Sequence, residues 1–236
     1  MRSLIRDRRR WLVVLAAAAV AAALLWRGVP PARLSLIWPI DLGKPASWFV
    51  DRRLAELGGD RALCTAVLIA PHVAATPVAD ATNADGCGWH NGMRVASVGG
   101  ARLTVDKLTC ELTAALGLWL IHEVQPEAQR RLGSAVVAVR HAGGYACRNI
   151  QGSAQHRHLR SEHASANALD IKGFTLADGR EISVLRHWLG EGPEAKFLHQ
   201  IHARACPYFR VAIGPAYNAA HRDHFHYDRG RFRTCR

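Results

Sequence analysis

Apolar and polar residues alternate with a different period in each part of the chain, and each change of period marks an element. Residues 11–26, WLVVLAAAAVAAALLW, are apolar without a break. Over 47–58, SWFVDRRLAELG, Phe49, Leu54 and Leu57 fall on one side of a short amphipathic helix. From 63 to 100, short apolar runs are broken by Pro71, Pro77, Gly86, Gly88, Gly99 and Gly100, which reads as short strands and loops. Residues 109–124, TCELTAALGLWLIHEV, predict a long helix: Leu112, Leu116, Leu118, Trp119 and Ile121 form an apolar stripe, and Pro126 is expected to end it. AVVAVR at 135–140 predicts a strand, and 166–172 and 223–228 alternate like strands. Phe197, Leu198 and Ile201 place a helix over 193–205. No internal repeat is visible. The expected class is α+β, a small antiparallel sheet with flanking helices.

Composition bounds the answer. Of 236 residues, 49% are hydrophobic and 21% charged, enough apolar surface for a folded core, and no uninterrupted apolar run repeats along the chain, which excludes a polytopic membrane protein. The net charge of +12 is unevenly spread. Half lies in the first 34 residues, where seven arginines stand against Asp7 alone. The remainder is too weakly basic to form a nucleic-acid stripe, and no nucleic-acid partner is expected. A cationic head (1–10) before an apolar run (11–26) reads as a transmembrane signal-anchor, with a cleaved export signal as the alternative. Pro30, Pro31, Pro39 and Pro45 make 27–46 a linker, leaving 47–236 as the exported domain. The expected location is the inner membrane by a single pass, with the domain in the periplasm, or the periplasm after cleavage. Six cysteines (64, 87, 110, 147, 206, 235) all follow the apolar run, with no C-x-x-C pair. That pattern suits disulfides in an oxidising compartment, with Cys235 stapling the C-terminus. Their pairing is open.

Six of the thirteen histidines fall in two windows: His156, His158 and His163, then His221, His224 and His226. A loop carrying His163 runs into a segment carrying Asp170, and both side chains can fold onto one centre. In HRDHFHYD, a strand would point His224 and His226 to one face and Phe225 to the other. One His, one Asp and one His make a three-ligand Zn2+ site with a fourth position for water.

The pattern S-x-H-x-x-x-x-A-x-D, followed much later by H-x-H, resembles the LAS-type zinc peptidases, which include D-Ala-D-Ala carboxypeptidases and murein endopeptidases. Ala166 stands where that group usually has Gly. GYACR (144–148), SEHASANALDIKGF (161–174), ACPYFRVAIGP (205–215), HRDHFHYD (221–228) and WPIDL (38–42) resemble the bacterial extensin-like C-terminal domain family. The resemblance implies a LAS/hedgehog-like zinc peptidase fold, with His163, Asp170 and His226 as metal ligands. It makes His224 or Asp223 the general base, and Arg148 a guanidinium for the substrate carbonyl or a terminal carboxylate. Glu162 is a lesser candidate base and Ser161 a support for a ligand. His156, His158 and His221 are expected on the rim or loop surface, and Tyr227 and Asp228 as strand support. The activity implied is amide hydrolysis of peptidoglycan peptides outside the cytoplasmic membrane, of carboxypeptidase or endopeptidase type. The alternative is a non-catalytic envelope or peptidoglycan-binding module of the same fold.

Overall fold

A computed structural model describes residues 2–26, 40–45 and 49–236. Most of the expected linker, with the Trp38 and Pro39 of its WPIDL opening, lies outside them. The chain divides into two units, residues 1–39 and 40–236. In the first, α1 (Arg2–Trp26) is one helix. Among the described residues no helix is long and apolar enough to cross a membrane, so the transmembrane reading of 11–26 gains no support. Sixteen apolar residues rise only about 24 Å, short of the ~30 Å hydrocarbon core.

The second unit is built on a nine-stranded sheet among the described residues. Its strands are β1 (Val73–Pro77), β4 (Gly92–Val98), β5 (Ala101–Thr109), β6 (Val136–His141), β7 (Ala168–Leu176), β8 (Glu181–Ser183), β9 (Val211–Ile213), β10 (Phe225–Asp228) and β11 (Thr234–Cys235). β2 (Ala81–Thr82) and β3 (Gly88–Trp89) form a separate pair. The order is β1-β4-β5-β6-β7-β10-β9-β11, with β8 also against β7. The expectation of a small antiparallel sheet is corrected in size and direction. β5–β6 and β9–β11 are parallel, and the 63–100 region supplies two strands of the large sheet. The short strands expected in 63–100 are present, and irregularities between Ala74 and Ala75, and on both sides of Val95, break the alternation that would have marked them as parts of one long sheet.

The helices are α2 (Val50–Gly59), α3 (Arg61–Val67), α4 (Cys110–Trp119), α5 (Gln125–Leu132), α6 (Val184–His187) and α7 (Pro193–Ala203). Every residue of α4 except Glu111 is buried, so it is apolar all round and packs against α2, β4 and β5. Thr109 caps it, its hydroxyl accepting from Leu112 N. Pro126 does not end the helical path. A π-helical turn over Leu120–Val124 widens the backbone, and Pro126 sits in the first turn of α5, where a missing N–H costs little. Gly133, at φ 66°, stops α5. Trp119 is fully buried against Phe209, Tyr227 and Phe174, and its indole N–H donates to Ile201 O at 2.9 Å, tying α4 to α7.

The six cysteines form three bridges: Cys64–Cys110, Cys87–Cys147 and Cys206–Cys235. Disulfides of this number fit an extracytoplasmic domain.

Candidate metal centre

Ser161 begins the site. It is the N-cap of a 3-10 turn (Glu162–Ser165), its Oγ accepting from His163 N at 3.4 Å. Ala166 closes the turn in the left-handed region, φ 55°, a conformation that costs a non-glycine residue about 1–2 kcal/mol. The chain thereby reverses straight into β7, and Thr109 N holds the bend through Ala166 O at 2.9 Å. Alternation along β7 buries Leu169 and Ile171 in the core and turns Asp170 to the opposite face. β10 is antiparallel to β7 with His226 directly opposite Asp170. Phe225 and Tyr227 take the core side, where they stack with His202.

His163, Asp170 and His226 therefore meet, one ligand atom of each lying within 4.8 Å of the others. His163 Nδ1 is 3.1 Å from Gly144 O, so this nitrogen donates to the carbonyl and the ring turns Nε2 towards Asp170. Nε2 is buried, 3.1 Å from Asp170 Oδ1, and without a hydrogen-bond partner among the described residues. A buried imidazole nitrogen facing a carboxylate is satisfied either by a proton on the ring or by a cation held between the two. His226 lies between two carboxylates: Nε2 is 3.0 Å from Asp228 Oδ2, and Nδ1 is 2.9 Å from Asp170 Oδ1. Two imidazole nitrogens and one carboxylate oxygen, each oriented from behind, are a donor set that fits zinc. Gly144 owes its identity to this packing. A Cβ there would stand 2.4 Å from a Leu108 methyl and 2.9 Å from Lys107 O.

The electrostatics follow the geometry. Burial alone would raise the Asp170 carboxyl, but the imidazoles of His163 and His226 outweigh it and hold it far below the usual carboxylate range. Burial works against the charged form of His226, yet Asp170 and Asp228 push it up to about 9. Burial and the neighbouring His226 and His224 push His221 down to about 4.

His224 lies one residue before β10 rather than in it, because the strand begins at Phe225. Its Nε2 is 3.7 Å from Asp170 Oδ1, and its Nδ1 is 2.8 Å from Asp223 Oδ1. Asp223 also meets Lys172 Nζ at 3.3 Å. The hydrogen bond from His224, opposed by burial and aided by Lys172, keeps the Asp223 carboxyl low. Asp223 thus touches His224 and not the three-residue centre. Arg148 Nη2 is 4.0 Å from Asp170 Oδ2. Burial and the nearby Asp228 raise the Glu162 carboxyl, which accepts from Ser165 Oγ at 3.2 Å.

These groups line one cleft of about 340 Å³, which takes in Arg148, Glu162, Asp170, His221, His224 and His226. Among the predicted rim residues, His156 is exposed beside Phe232 (ring centroids 5.0 Å apart), and His158 is exposed. His221 is corrected: it is half-buried in the cleft, its ring 5.2 Å from that of His224. Asp228 is more than strand support, since it orients His226. Its place two residues after His226, on the same face of an alternating strand, was the available signal.

No curated protein and no solved structure matches this chain. The family described as Extensin-like protein C-terminus matches residues 62–236, which include the whole of the centre and all three disulfides. The chain belongs to that extensin-like C-terminal family.

Proposed function

We propose that this protein is a zinc-dependent amide hydrolase acting on peptidoglycan peptides outside the cytoplasmic membrane, as an exported periplasmic domain. The observation that carries the reading is the convergence of the buried His163 Nε2 with Asp170 and His226, one ligand atom of each within 4.8 Å of the others. The likeness of the ligand spacing to that of LAS-type zinc peptidases supports the same reaction class. His163 Nε2, the Asp170 carboxylate and His226 Nδ1 would hold the metal. Zinc bound by three protein groups supplies Lewis acidity and a water whose pKa is lowered towards roughly 7.

The chain's own residues supply the rest. His224 Nε2, on the edge of the centre, accepts the proton of the attacking water. Asp223 holds the other ring nitrogen and stabilises the imidazolium that forms. Lys172 fixes Asp223 in turn. The Arg148 guanidinium faces the negative charge that develops on the carbonyl oxygen. Three disulfides brace the domain for an oxidising compartment.

The test is incubation of the zinc-loaded full chain with muropeptides, with products separated by mass. Cleavage that is lost in His224→Ala while zinc remains bound supports the reading. Zinc retained with no product from any muropeptide contradicts it and leaves a peptidoglycan-binding module.

A further inference from the structure

The cleft has three arginines on its walls: Arg148, Arg160 and Arg233. Two have carboxylates. Arg148 stands 4.0 Å from Asp170 Oδ2, and Arg233 is paired with Asp51. Arg160 differs. Its Nη1 donates to Asn149 Oδ1 at 3.1 Å and its Nη2 to Asp85 O at 2.8 Å, both uncharged acceptors. Among the described residues no carboxylate lies within 4.0 Å of it. The acids of the same cleft are engaged elsewhere. Glu162 accepts from Ser165 Oγ, and Asp228 from His226 and Gly230 N.

The Arg160 side chain is exposed to the cleft, and the backbone that carries it is held. Asn149 and Arg160 form an isolated antiparallel bridge, Ile150 N donates to Leu159 O at 2.9 Å, and Ser161 N donates to Arg148 O at 3.1 Å. Arg148 and Arg160 therefore stand on the two arms of one short hairpin-like loop, and the next residue, Ser161, caps the turn that carries His163. A fixed guanidinium with two donors tied to neutral oxygens and no counter-charge is preorganised for an anion.

We propose that Arg160 is a specificity-determining residue that binds a carboxylate of the peptide whose amide lies at the metal centre. The inference rests on the hydrolase reading for the amide. The carboxylate preference is measured separately, by binding. The substrate class is an acidic peptide, anchored at two points: its amide at the centre and its carboxylate on Arg160.

The experiment compares a peptidoglycan tetrapeptide with free carboxylates and the same peptide with them amidated. Binding to the zinc-loaded full chain is read by calorimetry, and hydrolysis by KM and kcat. The wild-type chain is expected to bind the free acid roughly 10- to 100-fold more tightly, the span of one charge-assisted contact. In Arg160→Gln that preference disappears, with the loss on KM and binding of the amide equal to that of wild type. Arg160→Lys, which keeps the charge without the fork, recovers part of the preference. Equal binding of the two peptides by wild type, no binding of either, or equal weakening of both in Arg160→Gln overturns the proposal. A preference for the acid without cleavage keeps it and removes the hydrolase reading.

Discussion

His226 stands between two carboxylates, and that position decides how the centre titrates. Asp170 and Asp228 push its ring up to about 9 in the metal-free chain, so at pH 7 both ring nitrogens carry protons. A metal can take Nδ1 only after one proton has left. Zinc uptake at pH 7 is therefore expected to release about one proton from this ring. The apparent affinity should rise by up to about tenfold per pH unit as the pH climbs towards 9. Calorimetry in buffers of differing ionisation enthalpy checks both points. Asp228→Ala removes the group that orients Nε2, and zinc affinity should fall about 10- to 100-fold, measured by chelator competition. At this scale much was legible in the sequence. That His163, Asp170 and a histidine of the H-x-H segment can share one face was legible from the residues, while the choice of His226 over His224 came from the resemblance to LAS-type peptidases. The Gly144 carbonyl was not legible, since no side-chain pattern marks a backbone acceptor 19 residues away.

Between elements, a buried arginine does the joining. The Arg229 side chain is 1% exposed and directly follows β10. Its guanidinium meets Asp51 of α2 at 2.8 Å, Glu111 of α4 at 2.7 Å and Tyr208 O at 3.0 Å. Arg229→Met would leave Glu111 without its cation and Asp51 with only Arg210 and Arg233, and should cost about 3–5 kcal/mol in denaturant unfolding. Burial tends to raise the Asp51 carboxyl, but Arg233, Arg229 and Arg210 hold it at about 2. A carboxyl depressed in the folded state stabilises the fold fully above its ordinary value near 3.8, and that contribution is lost as pH falls towards 2. Asp51→Asn should flatten the stability-versus-pH curve in that window, by at most about 2 kcal/mol. The helices over 50–59 and 193–203 were legible from their 3.6-residue period. The π-helical turn before Pro126 and the irregular β4–β5 hairpin were not, because each breaks the period by which an element is recognised. The parallel β5–β6 contact joins Arg102 to Ala138, a pairing set by tertiary packing and invisible to local pattern.

Across the whole molecule, the disulfides join regions distant in sequence, and one reaches the site. Cys87–Cys147 closes a separation of 60 residues and anchors the segment Gly144–Arg148, which supplies the carbonyl behind His163 and the cleft arginine. Replacing both cysteines by serine should lower stability by about 2–5 kcal/mol and weaken zinc binding together. Cys64–Cys110 joins α3 to α4 and supplies no group to the centre, so its removal should lower stability in urea while zinc affinity is retained. The number of bridges was legible from an even count of scattered cysteines; their pairing depends on a topology with many equivalent solutions. The account as a whole rests on metal binding by His163, Asp170 and His226, and zinc analysis of the full chain tests it most directly. After stripping with chelator and reloading at pH 8, wild type should hold one zinc per chain, and His163→Ala and Asp170→Ala should hold none while remaining folded by circular dichroism. A wild-type chain that takes up no zinc, or a His163→Ala chain that binds it as tightly as wild type, would contradict the account.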